Sequence, residues 1–246
     1  MLYLIGLGLN GDLTREGIAA AQRCSLYCEK YTSLLRRSLR DIEKAVQKPI
    51  TLLSREDIEE TETLLEEAMT SDVALLVVGD PLVATTHSEI IIEARKRNIV
   101  TRIIHNSSVY SAIGETGLQI YKFGKTATIP FPQEGFAPTS FYEIIEKNRS
   151  IGAHTLVLLD IQEDQKRYMN PSEAMKVLDH LGFTDDLLCV SRLGYEDQNI
   201  AYGNISTLLS LGEDCWGSPP HCLVIPSSLH FKEEEFLEAF AVEVSG

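Results

Sequence analysis

Two loops of this chain carry residues whose types suit ligand chemistry. The first, Gly6-Leu7-Gly8-Leu9-Asn10-Gly11-Asp12-Leu13-Thr14, follows the apolar run Leu2-Tyr3-Leu4-Ile5. The second, Gly79-Asp80-Pro81-Leu82-Val83-Ala84-Thr85-Thr86-His87, follows Val73-Ala74-Leu75-Leu76-Val77-Val78. Glycine after a strand lets backbone approach a ligand closely, and a carboxylate at a strand's C-terminal end faces the crevice of an open α/β sheet. Gly6-x-Gly8-x-x-Gly11 also matches the dinucleotide fingerprint, and Glu29, after Ser25-Leu26-Tyr27-Cys28, stands where a ribose-binding acid would fall. That fingerprint needs a helix opening within the motif. Here Asn10-Gly11-Asp12 reads as a turn and Thr14 as an N-cap before Arg15-Glu16-Gly17-Ile18, so the helix starts near Arg15. A nicotinamide-dependent oxidoreductase is thus a distant alternative, and a plain strand-to-loop turn fits the spacing as well.

The elements that must position these loops come from a chain of 246 residues, long enough for two modest domains. Its 44% hydrophobic and 24% charged content is that of a soluble globular protein, and no apolar stretch is long enough to cross a bilayer. The first apolar run ends in a glycine turn and not a small-residue cleavage site, so it reads as a strand, in an intracellular, cytoplasmic protein. A net charge of −14 disfavours a nucleic-acid partner. The densest basic cluster, Lys30, Arg36, Arg37 and Arg40, reads as a solvated helix face. Cys24, Cys28, Cys189, Cys215 and Cys222 lack disulfide or zinc spacing and read as reduced core residues, and no metal site is expected.

Apolar runs at Leu2–Gly8, Ser25–Cys28, Ile50–Leu53, Val73–Val78 and Val100–Ile104 alternate with helical segments, which predicts a parallel sheet. The helices follow Thr14, begin around Arg36, follow the Ser54-x-x-Asp57 capping box, and follow Thr85-Thr86-His87-Ser88, the last ending in the basic Arg95-Lys96-Arg97-Asn98. The segment His105–Gly117 reads as a loop entering a short helix and as the crossover between domains 1–110 and 111–246. Beyond it, strands are expected at Thr126–Ile129, Thr155–Leu159, Leu188–Leu193, Ile200–Tyr202 and Cys222–Ile225. Helices are expected around Ser140–Asn148, Ser172–Leu181 and Glu233–Phe240, with some antiparallel pairing of the strands. Pro130-Phe131-Pro132 and Gly135 to Pro138 form a connection. The expectation is an α/β protein of two α/β domains.

In order along the chain, Leu2–Leu9, Val77–Pro81 with Ala84–His87, His105–Val109, Tyr121–Gly124 and Thr155–Ile161 resemble the tetrapyrrole methylase-like family of S-adenosylmethionine-dependent methyltransferases. The likeness runs from Met1 to the region of Phe240, and lies with the branch that acts in diphthamide biosynthesis. It implies a methyl donor in the cleft between the two domains and a homodimer. It places donor contacts at Leu9, Asp80, Val83, Ser108, Val109, Leu159, Leu193 and His221. Several of these are apolar, which suits backbone groups holding the donor while side chains supply a dry wall. Apart from the resemblance, Asp80 could shape a turn, Ser108 could cap the short helix, the leucines and Val83 could be core, and His221 could open a strand with a backbone partner. The Tyr168-Met169-Asn170-Pro171 stretch looks abbreviated beside relatives that carry an insertion there.

The resemblance also implies a protein substrate, translation elongation factor 2 with a histidine extended by an aminocarboxypropyl group, whose amine is methylated. Such a transfer needs alignment and exclusion of water, with neither metal nor covalent nucleophile, and no general base is assigned. Asp80, Glu115 and Tyr121 are candidates for walls facing the cationic product, and the Tyr121-Lys122-Phe123-Gly124 and His87 regions for the substrate side. His105–Ser108 and Leu118–Gly124 look more like eukaryotic members, which favours four transfers ending in a methyl ester over three. Alternatives are a tetrapyrrole or ribosomal RNA methyltransferase of the same family, and a non-catalytic module that binds the elongation factor.

Overall fold

A computed structural model describes residues 1–29, 34–60, 62–132 and 138–242. Lys30 and Gly135, used in the readings above, lie outside the described residues. The chain divides into two units, Met1–Ser111 and Ala112–Gly246.

The first unit is a five-stranded sheet in the order β3-β2-β4-β1-β5. Its strands are β1 (Leu2–Gly6), β2 (Ser25–Glu29), β3 (Thr51–Leu53), β4 (Val73–Val77) and β5 (Thr101–Ile104), all parallel. Parallel strands buried on both faces read as unbroken apolar runs, and the side chains of β1 and β4 are all buried. Alternate residues then go to opposite sides. Tyr3, Ile5, Leu26, Cys28, Ala74 and Leu76 pack with Ala20 and Ala21 of helix α1 (Arg15–Ala21) and with Ile42 and Val46 of α2 (Leu39–Val46). Leu2, Leu4, Val73, Leu75 and Val77 pack on the other face. Their partners are Ile58 of α3 (Arg55–Glu60), Leu64 and Leu65 of α4 (Glu62–Ala68), and Ile90, Ile91 and Ala94 of α5 (Ser88–Lys96). A short helix, α6 (Val109–Ala112), ends the unit.

The helix starts follow their caps. Thr14 accepts the Gly17 amide at 3.0 Å, so α1 opens at Arg15 and the third glycine of the fingerprint stays outside it. Ser54 and Asp57 cap reciprocally at 2.8 and 3.2 Å. Helix α2 starts later than the expected Arg36, because Ser38 caps it by accepting the Asp41 amide at 3.2 Å. Of the described basic cluster only Arg40 rides the helix, while Arg37 reaches the first loop and pairs with Asp12. Four cysteines are buried as expected, but Cys215 is exposed and is not a core residue.

The second unit is a mixed sheet, β11-β10-β12-β7-β6, formed by β6 (Ala127–Ile129), β7 (Thr155–Leu159), β10 (Asp186–Ser191), β11 (Asn199–Asn204) and β12 (His221–Ile225). Strands β6 and β7 are parallel, and the remaining neighbours are antiparallel. One face packs its Ile129, Val157, Leu187, Cys189, Leu223 and Ile225 with Phe141 and Ile145 of α7 (Ser140–Ser150), Met175 and Leu178 of α8 (Pro171–His180), and Ile205 and Leu208 of α9 (Ile205–Ser210). Trp216 joins that core and donates its indole N–H to Ser172 Oγ at 2.8 Å. A two-residue hairpin, β8 (Ile161–Gln162) with β9 (Arg167–Tyr168), precedes α8, and Asn170 and Glu173 form the capping box of that helix. The Tyr168–Pro171 stretch is thus the approach to a capped helix.

Helix α10 (Phe231–Leu237) is fastened to the start of this unit by a buried charge. The Glu233 carboxylate pairs with Lys122, accepts the Gln119 amide at 2.8 Å and the His230 amide at 2.8 Å, and meets His154 Nε2 at 3.1 Å. His154 Nδ1 accepts the Ser227 amide at 2.9 Å, so its single proton sits on Nε2 and points at Glu233. Burial alone would raise the Glu233 pKa, but the Gln119 amide, the Lys122 ammonium, the His230 amide and His154 together hold it down at about 2. A carboxylate whose pKa is lowered by folding stabilises above its ordinary value and loses that contribution as pH falls through its folded value. Stability lost by the wild type between about pH 5 and pH 2 should include on the order of 3 kcal/mol from Glu233. In Glu233→Gln this part of the acid dependence should be missing, and urea midpoints measured across that range would show it.

Candidate functional site

In the first sheet the chain leaves β1 to build α1 on one face, and leaves the adjacent β4 to build α5 on the other. The C-terminal ends of β1 and β4 therefore flank a topological switch point, the place where open α/β sheets bind ligands. The two glycine loops run side by side there. Gly8 and Gly79 exchange both backbone hydrogen bonds at 3.0 Å, forming an isolated antiparallel bridge beyond a parallel pair of strands. Both have positive φ, 64° for Gly8 and 76° for Gly79, a conformation that disfavours side chains. A Cβ on Gly6 would lie 2.6 Å from the Gly79 carbonyl oxygen, so this position needs glycine for space.

Asp80 follows immediately, and its buried carboxylate has three partners. Oδ1 accepts the Leu82 amide at 3.1 Å, while Oδ2 accepts the Asn106 amide at 3.1 Å and contacts His105 Nδ1 at 2.8 Å. Asn106 in turn donates from Nδ2 to the carbonyls of Gly6 (2.9 Å) and Asp12 (2.7 Å). The neighbouring Ser107 hydroxyl accepts the Leu9 amide at 3.3 Å. One carboxylate and one carboxamide thereby lock three loops to each other. Pro81 O accepts from Thr85 Oγ1 at 2.7 Å and from the His87 ring at 3.2 Å. His87 is wholly buried, which lowers its pKa, and its ring is held on the Pro81 carbonyl while Nε2 has no partner among the described residues.

These bonds bring Leu9, Asp80, Val83, Ser108 and Val109 to one end of the first sheet. Leu9, Val83 and Val109 are half-buried, and Ser108 is buried. Ser108 does not cap α6 with its hydroxyl in the way considered above: the Ser108 amide donates to Ser111 Oγ at 3.0 Å, and that hydroxyl donates back to Ser108 O. In the second unit, Leu159 closes β7, Leu193 follows β10 and His221 opens β12, and the antiparallel register sets Ser191 opposite His221 and Leu158 opposite Cys222. Those three positions thus share one edge of the second sheet. His221 has a side-chain partner as well as a backbone one, with Nδ1 3.0 Å from Ser191 Oγ. Burial, then the Arg192 charge, push its pKa down to about 4 against a hydrogen bond with the Gly217 backbone. The imidazole is therefore neutral at pH 7.

Tyr121 is almost fully exposed, and its hydroxyl donates to Gln119. Glu115 accepts the Gln198 side-chain amide at 3.0 Å. Among the described residues no three His, Cys, Asp or Glu side chains gather to hold a metal ion, and no helix is long and apolar enough to cross a membrane.

A model of the tetrapyrrole (corrin/porphyrin) methylases matches residues 1–209. The chain belongs to the tetrapyrrole methylase family. As a member of the tetrapyrrole methylases it is a methyltransferase, and its relatives are similar along their whole length. It is 43% identical over 260 residues to the diphthine synthase of Methanothermobacter thermautotrophicus, covering 100% of this chain and 96% of that one. It is 41% identical over 252 residues to the diphthine synthase of Methanococcus maripaludis, covering 97% and 98%. A solved structure from Entamoeba histolytica superposes with a TM-score of 0.89 at 36% identity, covering 99% of both chains. A solved diphthine synthase gives 0.89 at 35% identity, covering 98% of this chain and 95% of that one.

The residues present suit the donor such methylases use. A Cβ on Gly79 would have no atom closer than 3.9 Å, leaving room for backbone to meet a ligand, and the surrounding side chains at Leu9, Val83 and Val109 are apolar. Sequence reading gave no role to Asn106, although an asparagine directly after a predicted strand and a histidine is a signal for a loop tie. Gly6→Ala should force the Gly79 carbonyl away and lower stability by about 1–3 kcal/mol in chemical denaturation.

Proposed function

We propose that this methyltransferase uses S-adenosylmethionine to methylate the amine of a histidine that carries an aminocarboxypropyl group on translation elongation factor 2, a step of diphthamide biosynthesis. The observation that carries the reading is the coincidence of full-length similarity to diphthine synthases with a glycine-bridged crevice at the switch point of the first sheet. The reading includes four transfers ending in a methyl ester, and a homodimeric enzyme of the cytoplasm. Its net charge of −14 suits a cationic substrate group better than a phosphate backbone.

When bound, S-adenosylmethionine supplies a methyl group on a sulfonium that departs as a neutral thioether. The chain's own task is to align an amine with that methyl and exclude water. On this reading Leu9, Val83 and Val109 are apolar wall of the first unit's crevice, where backbone groups of the glycine loops hold the polar parts of the donor, and in the second unit Leu159 and Leu193 are apolar donor contacts at one end of its sheet. Asp80 fixes the loops through Leu82, His105 and Asn106, and its Oδ1, with one partner, keeps an acceptor site for the donor. His221, neutral at pH 7, adds no positive charge beside a cationic donor. The proton leaving the amine goes to water.

Intact-mass spectrometry of elongation factor 2 from cells lacking this protein, after incubation with the chain and donor, should show a gain of four methyl groups. A gain of three would revise the product to the trimethylated amine, and no gain with donor bound would remove the substrate assignment. Asp80→Ala strips the acceptor from two amides and a histidine, and should weaken S-adenosylhomocysteine binding about tenfold or more in calorimetry. Unchanged affinity would take Asp80 out of the site.

A further inference from the structure

Arg192 is a buried charged side chain held mainly by main-chain oxygens. It follows β10 directly, between Ser191 and Leu193, is 8% exposed, and has a positive φ of 54°. Its guanidinium spans two segments. Nη1 donates to the carbonyl oxygens of Trp216 and Ser218, both at 2.7 Å, while Nε donates to the Asp197 carbonyl at 3.0 Å and lies 3.1 Å from the Asp197 carboxylate. Its backbone amide donates to Pro220 O at 2.8 Å, just before His221. The planar fork of arginine can serve four acceptors at once, whereas a lysine ammonium is a point donor. The far end of the clamp is rigid, because the Trp216 indole is buried and bonded to Ser172 in the core. The near end carries Leu193, and beyond it Gly194 donates its amide to Gln198 Oε1 at 2.6 Å, closing the turn. Gly217 leaves room for the clamp: a Cβ there would stand 2.9 Å from Arg192 Nη1.

We infer that Arg192 is a positioning residue of the donor-binding edge, holding the turn that presents Leu193 and the segment that delivers His221 in a single arrangement. The inference rests on the donor reading above and adds to it the part that arranges the edge. With its guanidinium bonded to Asp197, Trp216 and Ser218, Arg192 acts through Leu193 and His221. Its charge is matched by the Asp197 carboxylate, so the cation serves the fold without exposing a bare positive group to a cationic donor. The groups facing His221 are the Ser191 hydroxyl and Arg192 from the β10 side and the Gly217 backbone from the 214–217 segment. Of these, Arg192 carries the charge that opposes protonation.

The test uses the full chain as wild type, Arg192→Gln and Arg192→Lys, with S-adenosylhomocysteine as the probe in calorimetry and the His221 imidazole followed by NMR titration. Arg192→Gln should bind the probe about tenfold or more weakly, with the His221 midpoint moved up from about 4. Arg192→Lys keeps the charge but not the fork, so the His221 midpoint should stay low while affinity still falls severalfold. The midpoint reports whether the Arg192 charge faces His221, and the loss of affinity in the charge-keeping Arg192→Lys reports whether its fork arranges the donor contacts. The inference is overturned if either variant binds as the wild type does, or if both give the same midpoint. Should Arg192→Gln not fold, the affinity of Arg192→Lys decides. Failure of the wild type itself to bind the probe would overturn the donor reading instead, and is separable because it needs no variant.

Discussion

The first unit depends on a backbone exchange between two glycines. Parallel strands β1 and β4 end side by side, and the chain must leave them for opposite faces of the sheet. Their loops would be free to diverge at once, but the Gly8 and Gly79 bridge holds them together for one more step. The requirement for positive φ at both residues, and for space at Gly6, follows from that bridge. Asp80 and Asn106 then extend it by drawing in the loop after β5, so the crevice is lined by three loops tied to one another. Loops tied together by folding have less freedom left to lose to a ligand, which reduces the entropic cost of binding.

Much of this was legible in the sequence, and the reasons are physical. β1 and β4 showed as unbroken apolar runs because both faces are buried, and Thr14 and the Ser54–Asp57 pair marked helix starts because a capping hydrogen bond is local in sequence. Edges were harder. The outer strand β11 (Asn199–Asn204) is half-buried and polar at its ends, so only Ile200–Tyr202 stood out, and the β8–β9 hairpin has two residues a side and no period to detect. Helix α2 was misplaced because the basic residues before Ser38 resemble a helix face while serving as a loop contact to Asp12.

The site was legible in its loops but not in its ties. Asp80 could be placed at a strand end, yet its partners His105 and Asn106 come from the next strand's end and meet it only after the sheet has formed. Arg192 is a similar case: a lone cation at the end of an apolar run announces a buried partner without saying which, and two of its acceptors are main-chain oxygens more than twenty positions away. Backbone acceptors leave no mark on side-chain identity, so no reading of residue types could have found Trp216 and Ser218 as partners.

The strand order of the second sheet carries a consequence for biosynthesis. In the first unit every strand of the sheet lies within Met1–Ser111, so the whole crevice scaffold is available as soon as that segment has left the ribosome. The second sheet is different, because β12, its central strand, is the last of its strands to be synthesised, and β10 and β7 pair with it and not with each other. Until His221–Ile225 emerges, the nascent sheet is two separate pairs of strands with inner edges exposed. The ribosome thus delivers the keystone last, and the interval before its arrival is when the growing chain most needs shelter from its neighbours.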